Sequence, residues 1–103
     1  MLQFDNVSVV KKSNVFFGGK CVSHTLLFPN GVRKTVGVIF VSKLTFNTSG
    51  AERMEITSGV GRVRLKDEKE WKALKAGDQF EVAANSAFEI EALETLDYVC
   101  HFV

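Results

Sequence analysis

The chain has 103 residues, 46% of them hydrophobic and nine of them phenylalanine, and its 13 basic and 12 acidic residues give a net charge of +1. This length and composition predict one packed domain, residues 1–103, and exclude a disordered chain. No basic excess points to a nucleic-acid partner, no apolar run has the ~18 residues of a membrane helix, and no secretory pattern opens the chain, so we predict a cytoplasmic protein without nucleic-acid or membrane partners.

The first predicted elements form a hairpin. Residues 21–28, CVSHTLLF, alternate in hydrophobicity as a strand does, and residues 32–41, VRKTVGVIFV, are rich in Val and Ile. The Pro-Asn-Gly stretch between them predicts a tight turn. His24 is in phase with the apolar residues of its strand, so we expect it to face the interior. There it is either a satisfied core residue or a titratable group for acid–base chemistry.

The middle of the chain continues the period of two. Residues 52–57 place Glu52, Met54 and Ile56 on one face, and the Ser-Gly pair that follows predicts a turn. Residues 60–65 place two apolar side chains opposite two arginines. The polar stretch 66–78 predicts a loop with a short strand at Trp71.

The last third predicts three more strands. Residues 80–93 form two strands about an Ala-Asn turn, with Phe88 facing inward, and residues 96–103 form a final strand. About nine short strands with turns every 8–12 residues favour an all-β sandwich or barrel, and closure would remove exposed strand edges. Cys21 and Cys100 lie in apolar strands without metal-site spacing, so we predict two free core thiols.

Residues 43–59, KLTFNTSGAERMEITSG, contain part of a known pattern. The barrel family called cupins has a first motif G-x5-H-x-H-x3/4-E-x6-G, and six residues separate Glu52 from Gly59 as that motif requires. Its two histidine positions fall on Phe46 and Thr48, or on Thr45 and Asn47. The second motif, G-x5-P-x-G-x2-H, runs from residue 77 to residue 88.

All three histidines of these motifs are therefore absent. Transition metals need three or four N, O or S ligands that converge on one point, and one Glu with Thr and Asn is a poor set. Phe88 stands where the third imidazole would be. We therefore predict a metal-free cupin with no cofactor, in which Glu52 is either a structural hydrogen-bonding group or a substrate contact.

Most of the chain also resembles one family of small single-domain bacterial cupins, the pyrimidine/purine nucleoside phosphorylases. The resemblance runs from about residue 14 to residue 103, and its most distinctive part is T-F-N-T-x3-E-x-M-E-I, which begins at Thr45. It departs at residues 83–84, where relatives often have Pro-Gly. The resemblance implies a cupin (RmlC-like jelly-roll) barrel. It also implies an enzyme in which phosphate attacks a nucleoside and releases the free base and ribose 1-phosphate.

The residues present are compatible with that chemistry, although each has an ordinary structural alternative. Arg33 and Arg53 are candidate phosphate ligands. Glu52 is a candidate to stabilise an oxocarbenium-like transition state, with His24 as a second catalytic candidate. Candidate ribose ligands are Thr45, Asn47 and Thr48, and candidate base-stacking residues are Phe46, Phe88 and Tyr98.

Two functions stay open on these residues. The first is a phosphorylase of purine and pyrimidine nucleosides that uses phosphate as co-substrate and no metal. The alternative is a non-catalytic cupin that binds a sugar or a nucleoside in the same pocket, since a fold alone does not fix an activity. The phenylalanine-rich strands also predict a homodimer.

Overall fold

The computed structural model describes residues 2–103, so the predicted domain 1–103 includes one residue, Met1, outside the described range. Within that range the regular structure is eleven β-strands and one 3-10 turn at Phe17–Gly19. The strands are β1 (Ser8–Val9), β2 (Asn14–Phe16), β3 (Cys21–Leu27), β4 (Arg33–Ile39), β5 (Ser42–Asn47), β6 (Glu52–Ser58), β7 (Val60–Leu65), β8 (Lys72–Lys75), β9 (Gln79–Val82), β10 (Ala87–Ala92) and β11 (Leu96–Phe102). The sequence did not predict three of these strands, β1, β2 and β5. The first two are too short to show an alternating pattern.

The strands form two antiparallel sheets. The large sheet has the order β1-β3-β4-β11-β6-β9, with β2 also paired to β3, and the small sheet has the order β5-β10-β7-β8. The predicted all-β architecture is therefore confirmed. The hydrogen-bond ladder does not run continuously around the molecule, because each sheet keeps its own edge strands.

The predicted hairpin is present as β3 and β4, which pair from Cys21↔Ile39 to Leu27↔Arg33. The turn between them closes with a hydrogen bond from the Gly31 amide to the Phe28 carbonyl at 2.9 Å. Gly31 has φ of 87°, a left-handed conformation that glycine adopts at little cost. The strand β4 ends at Ile39, two residues before the predicted end at residue 41.

The turn between β6 and β7 also depends on a glycine. Gly59 has φ of 96°, and a Cβ atom there would collide with the carbonyl of Thr95. Any other residue would be strained by its backbone conformation and would displace a neighbouring strand. The final glycine of the first cupin motif is therefore explained by packing, without a part in chemistry.

The core lies between the sheets. Its largest fully buried side chains come from both sheets and are Ile39, Ile56, Ile90, Leu96, Val63 and Cys21. Full burial of an aliphatic side chain of this size stabilises the fold by about 1.5–3 kcal/mol. Cys21 and Cys100 are both free and buried, as predicted.

The outer face of the small sheet carries paired charges. Arg62 binds Glu91 at 2.7 Å and Arg64 binds Glu89 at 2.5 Å. The Trp71 ring lies against both guanidinium groups, at 4.3 and 4.7 Å from its centroid. Trp71 itself precedes β8, so the predicted strand begins one residue after it.

Candidate active site

A cavity of about 300 Å³ opens at one end of the space between the two sheets. Five strands of the large sheet and two strands of the small sheet contribute to its wall. The lining residues are Asn14, Phe16, Ser23, Arg33, Thr35, Phe46, Asn47, Glu52, Met54, Phe88, Tyr98, Cys100 and Phe102. Six of the ten sequence-predicted site residues therefore meet here, namely Arg33, Phe46, Asn47, Glu52, Phe88 and Tyr98.

Glu52 begins β6, and its carboxyl group faces the cavity next to the Cys100 thiol of β11. Burial raises the pKa of Glu52 above its ordinary value, and a hydrogen bond with Cys100 partly offsets that rise. Burial and the neighbouring carboxylate raise the pKa of Cys100 to about 12. Cys100 is thus a neutral thiol, able to donate to Glu52 and unsuited to act as a nucleophile.

Arg33 begins β4 and lines the same cavity at its exposed rim. Its guanidinium group lies over the Phe102 ring, 4.3 Å from the ring centroid. Among residues 2–103 neither Arg33 nor Glu52 forms an ion pair. The guanidinium group of Arg33 and the carboxyl group of Glu52 are therefore both available to a ligand in the cavity.

Aromatic rings form the wall that the small sheet contributes. Phe46 and Phe88 are register partners on β5 and β10 and stack on each other, with centroids 5.3 Å apart and planes 18° apart. A planar ring between two others needs about 7 Å, which is two contact distances of ~3.5 Å. The two rings therefore leave no room for a base between them, and a base can use only the faces that they turn to the cavity.

Tyr98 lies deep in the wall and is buried. Its hydroxyl group is 3.4 Å from the Cys21 sulfur. Burial raises the pKa of Tyr98 far above its ordinary value, so the phenol stays protonated. Its polar end is thus bonded to the protein, while its ring forms part of the floor of the cavity.

Asn14 on β2 is a polar cavity residue that the sequence did not single out. Its side-chain amide donates to the hydroxyl groups of Ser23 and Thr25 on β3, each at 3.2 Å. These bonds fix the amide and leave its carbonyl oxygen as an acceptor at the cavity. Asn47, at the end of β5, is the second side-chain amide in the lining.

His24 does not face the interior, so that prediction is wrong. Strand alternation turns Ser23 into the cavity and His24 to the opposite face of the large sheet, where its Nδ1 lies 3.3 Å from the Val10 carbonyl oxygen. The apolar residues in phase with His24 form a second, outer apolar face. The catalytic role expected of His24 depended on the interior position, and we do not retain it.

Three other candidates also lie away from the cavity. Arg53 projects from the outer face of β6, and its buried Nε has no hydrogen-bond partner in the described chain. Thr45 lies with Glu89 beside a separate surface groove. The Thr48 hydroxyl donates to the Ala83 carbonyl at 2.7 Å and accepts from the Ser86 amide at 3.0 Å, so it holds the turn before β10.

Several lining residues were missed for different reasons. Cys100 and Phe102 follow Tyr98 at intervals of two, and this alternation could have placed them on its face. Asn14 and Phe16 lie on a three-residue strand that has no pattern of its own. Ser23 and Thr35 lie on the adjacent strands β3 and β4. Nothing in the sequence near either residue predicts that it lines a cavity.

The donor set of the cavity does not fit a transition metal. Within residues 2–103 no group of three or more His, Cys, Asp or Glu side chains converges on one point. Glu52 is accompanied there by a protonated thiol and two side-chain amides, whereas metals such as iron and zinc bind imidazole, carboxylate or thiolate.

Comparison with known proteins gives a match along nearly the whole chain. A family model described as pyrimidine/purine nucleoside phosphorylase matches residues 11–102. A protein of that name from Methylobacillus flagellatus is 67% identical over 102 residues, 99% of each chain. Another of that name, from Cupriavidus taiwanensis, is 66% identical over 97% of this chain and 95% of its own.

Solved structures agree on the fold. A protein of unknown function from an Acinetobacter species has 52% identity and a TM-score of 0.97 over 100% of both chains. An RmlC-like cupin from Shewanella frigidimarina has 16% identity and a TM-score of 0.72, covering 99% of this chain and 93% of its own. The predicted cupin-like fold is confirmed. Between residues 2 and 103 no helix has the length and hydropathy needed to cross a membrane.

Proposed function

The chain belongs to the pyrimidine/purine nucleoside phosphorylase family, and we propose that it phosphorolyses both purine and pyrimidine nucleosides to the free base and ribose 1-phosphate. In this reaction a phosphate oxygen forms a bond to the anomeric carbon, and the bond from that carbon to the base nitrogen breaks. The electron pair leaves with the base, which takes its proton from phosphate or solvent. No covalent enzyme intermediate is needed, which agrees with the neutral buried Cys100 thiol.

Glu52 is the group that we propose to stabilise the sugar. Positive charge develops on the ribose ring as the base departs, in the manner of other glycosidic cleavages. A carboxylate fixed in a partly buried cavity stabilises that charge more than a solvated carboxylate would. The Cys100 hydrogen bond supports this role, because it favours the ionised form that burial disfavours.

Arg33 is the residue that we propose to bind phosphate. A guanidinium group offers two parallel N–H donors that match two phosphate oxygens. Its contact with the Phe102 ring orients the group without consuming its hydrogen-bonding edge. Phosphate held there would also lie in the cavity that contains Glu52, so both anions would be near the positive charge that develops on the sugar.

The aromatic wall supports a broad choice of base. The faces of Phe46 and Phe88 carry no hydrogen-bonding group that would distinguish one base edge from another. Every nucleobase has a π-face, so stacking accepts purines and pyrimidines alike. Asn14 and Asn47 are the side chains that we propose as hydrogen-bonding partners of the ribose hydroxyls.

The observation that carries this proposal is the pair of unmatched charges, Arg33 and Glu52, in one cavity with an aromatic wall. The test incubates EDTA-treated protein with uridine and adenosine, with and without phosphate, and measures free uracil and adenine. We expect base release that requires phosphate and survives EDTA. Release without phosphate would indicate a hydrolase, and loss with EDTA would indicate a metal requirement.

Absence of any base release would favour the alternative, a cupin that binds a nucleoside or a sugar without reacting. The same cavity supports that function, because binding needs the aromatic wall and the amides but no transition-state stabilisation. Calorimetric titration with adenosine distinguishes a binding protein from an inactive one.

We also propose that the enzyme is a cytoplasmic homodimer. Val41, Val60 and Leu93 are exposed at the end of the molecule opposite the cavity. The Leu93 amide donates to the Val60 carbonyl at 2.9 Å, and Val41 precedes Ser42, which pairs with Ala92, so the three residues lie close together along the backbone. A dimer mass by light scattering that becomes a monomer mass in Leu93→Lys is the expected result; a monomeric wild type would contradict it.

A further inference from the structure

The segment of residues 14–20 borders the cavity and forms an aromatic lip. It consists of the edge strand β2, the 3-10 turn and Lys20, and among residues 2–103 β2 pairs only with β3. Phe16 lines the cavity although 43% of its surface is exposed, and Phe17 is 46% exposed. Two adjacent exposed phenylalanines are unfavourable in water, so their position calls for a ligand or a partner.

The backbone of the lip is strained. Phe17 has φ of 53°, and Gly18 and Gly19 have φ of 65° and 101°, so three successive residues are left-handed. Glycine adopts this conformation freely, whereas a bulky residue such as phenylalanine does so only at a steric cost. Strain of this kind in a non-glycine residue is concentrated at ligand-binding segments, where the surrounding contacts maintain it.

The lip contacts the aromatic wall. The Phe17 ring lies 5.1 Å from the Phe46 ring at 84°, and the Phe16 ring lies 6.3 Å from it at 71°. Because Phe88 already stacks on Phe46 at 5.3 Å, that side has no room for a base. Phe16 and Phe46 are in edge-to-face contact at 6.3 Å, so a planar ring enters between them only if Phe16 turns and moves outward until the two faces are about 7 Å apart. Phe16 lies on an edge strand and is 43% exposed, so it has room for this movement.

We propose that Phe16 is the second base-stacking residue of the enzyme and that the base binds between Phe16 and Phe46. The Phe16 ring turns from its edge-to-face position to a parallel one as the base enters. Phe17 is a positioning residue: its ring rests on Phe46, and its left-handed backbone sets the height of the lip over the cavity. This inference depends on the proposed function, since it assigns the base subsite of the same reaction.

The main test replaces Phe16 by Leu, which keeps apolar bulk but removes the aromatic face. Loss of one stacking partner should raise the KM for adenosine and for uridine about ten-fold. The kcat and the KM for phosphate should stay close to their wild-type values. Phe16→Tyr keeps the ring and should restore the nucleoside KM, which a purely structural role for Phe16 would not require.

A matched control is Phe4→Leu. Phe4 also forms an edge-to-face pair, with Phe28 at a centroid distance of 5.2 Å, but it does not line the cavity. Its replacement should leave both KM values unchanged. A nucleoside KM that rises equally in Phe4→Leu and Phe16→Leu would overturn the proposal, as would an unchanged KM in Phe16→Leu.

The positioning role of Phe17 has its own pair of variants. Phe17→Asn loses the ring but suits the left-handed backbone, whereas Phe17→Ile keeps apolar bulk but disfavours that backbone. We expect the nucleoside KM to rise more in Phe17→Ile than in Phe17→Asn. The reverse order would overturn the assignment of the backbone as the positioning feature.

The outcomes for the lip and for the reaction are separable. If the wild type releases base and Phe16→Leu has the wild-type KM for the nucleoside, the stacking role of Phe16 is contradicted and the proposed reaction is not. If the wild type releases no base, the lip is tested by calorimetry with adenosine, and we expect the Kd of Phe16→Leu to rise by the same factor of about ten. Absence of adenosine binding to the wild type would overturn both.

Discussion

The cavity and the outer face of the small sheet use the same residue types in opposite ways. On the outer face Arg62 and Arg64 each hold a glutamate, and their guanidinium groups lie against Trp71. In the cavity Arg33 lies against Phe102 in the same manner and Glu52 is nearby, yet these two form no ion pair. Both regions thus contain arginine, glutamate and an aromatic ring, but only the outer face pairs its charges.

Paired charges on the outer face support the fold, whereas the unpaired charges in the cavity are free to bind a ligand. Exposed pairs contribute modestly to stability and keep two strands in register. In the cavity, the partly buried Glu52 carboxylate is costly to the free protein and can be stabilised by a developing cation, whereas the exposed Arg33 guanidinium is free to bind an anion. The comparison predicts that matched substitutions in the two regions will have different consequences.

The largest expected effect is that of Glu52→Gln. If Glu52 stabilises the charge on the sugar, its loss should lower kcat about 10²- to 10³-fold, as removal of one electrostatic group does in other enzymes. Steady-state rates of uracil release measure this effect. The control is Glu91→Gln, which removes a carboxylate on the outer face and should keep the wild-type kcat. Equal kcat values in the two variants would contradict the comparison.

Arg33→Ala should have the next largest effect. Loss of a charged, two-pronged hydrogen bond should raise the KM for phosphate about 10- to 100-fold, with a smaller change in the KM for the nucleoside. Arg62→Ala is the matched control, because it also removes a guanidinium group that lies 4.3 Å from an aromatic centroid. The role of Arg33 is refuted if the two variants show the same KM for phosphate.

Phe102→Leu sharpens the comparison further. The Phe102 ring orients Arg33, and an exposed cation–π contact is worth about 0.5–1 kcal/mol. Its loss should raise the KM for phosphate about two- to five-fold. Kinetics over a range of phosphate concentrations would detect this change. A KM for phosphate equal to that of the wild type would show that the ring does not orient the guanidinium group.

The smallest effects concern stability, and their signs should be opposite in the two regions. Burial raises the folded-state pKa of Glu52, so its ionised form costs stability above that pKa. Glu52→Gln should therefore raise the melting temperature at pH 7. The gain should disappear below the ordinary pKa of 4.5, where the carboxyl group is protonated in both states.

Glu89 is the matched case on the outer face. Its hydrogen bond with Arg64 lowers its folded-state pKa below 4.5, so the pair stabilises the fold at neutral pH and is lost as the pH falls through the lowered value. Glu89→Gln should lower the melting temperature slightly at pH 7 and have no effect in strong acid. Shifts of the same sign in the two variants, measured by thermal denaturation at several pH values, would contradict this account.

Much of the fold could be predicted from alternation and turn chemistry. The period of two located β3, β4, β6, β7, β10 and β11 to within two residues, because each has one face buried and one face more exposed. The Pro-Asn-Gly turn and Gly59 marked chain reversals that need left-handed backbone. The short edge strands β1 and β2 could not be predicted, since their pairing with β3 is decided by contacts made elsewhere in the chain.

Part of the site was also predictable from the alternation of side chains along the strands. Alternation correctly grouped Glu52 with Met54 and Ile56, and it grouped His24 with apolar neighbours, but it did not say which face of a sheet meets the cavity. The large sheet has apolar residues on both faces, so hydrophobicity misplaced His24. Thr48 shows a second limit, because its hydroxyl is used by a turn that lies 35 residues further along the chain.

The sequence by itself determined the strand-rich class, the free buried cysteines and the residue types available to a nucleoside and phosphate. The tertiary structure decided which of those residues meet. Arg33, Glu52 and Phe102 come together because β11 pairs with β4 on one side and with β6 on the other, in a register that sets Phe102 opposite Glu52. Such pairing depends on packing over the whole core, whereas a side chain's alternation is a local property of its own strand.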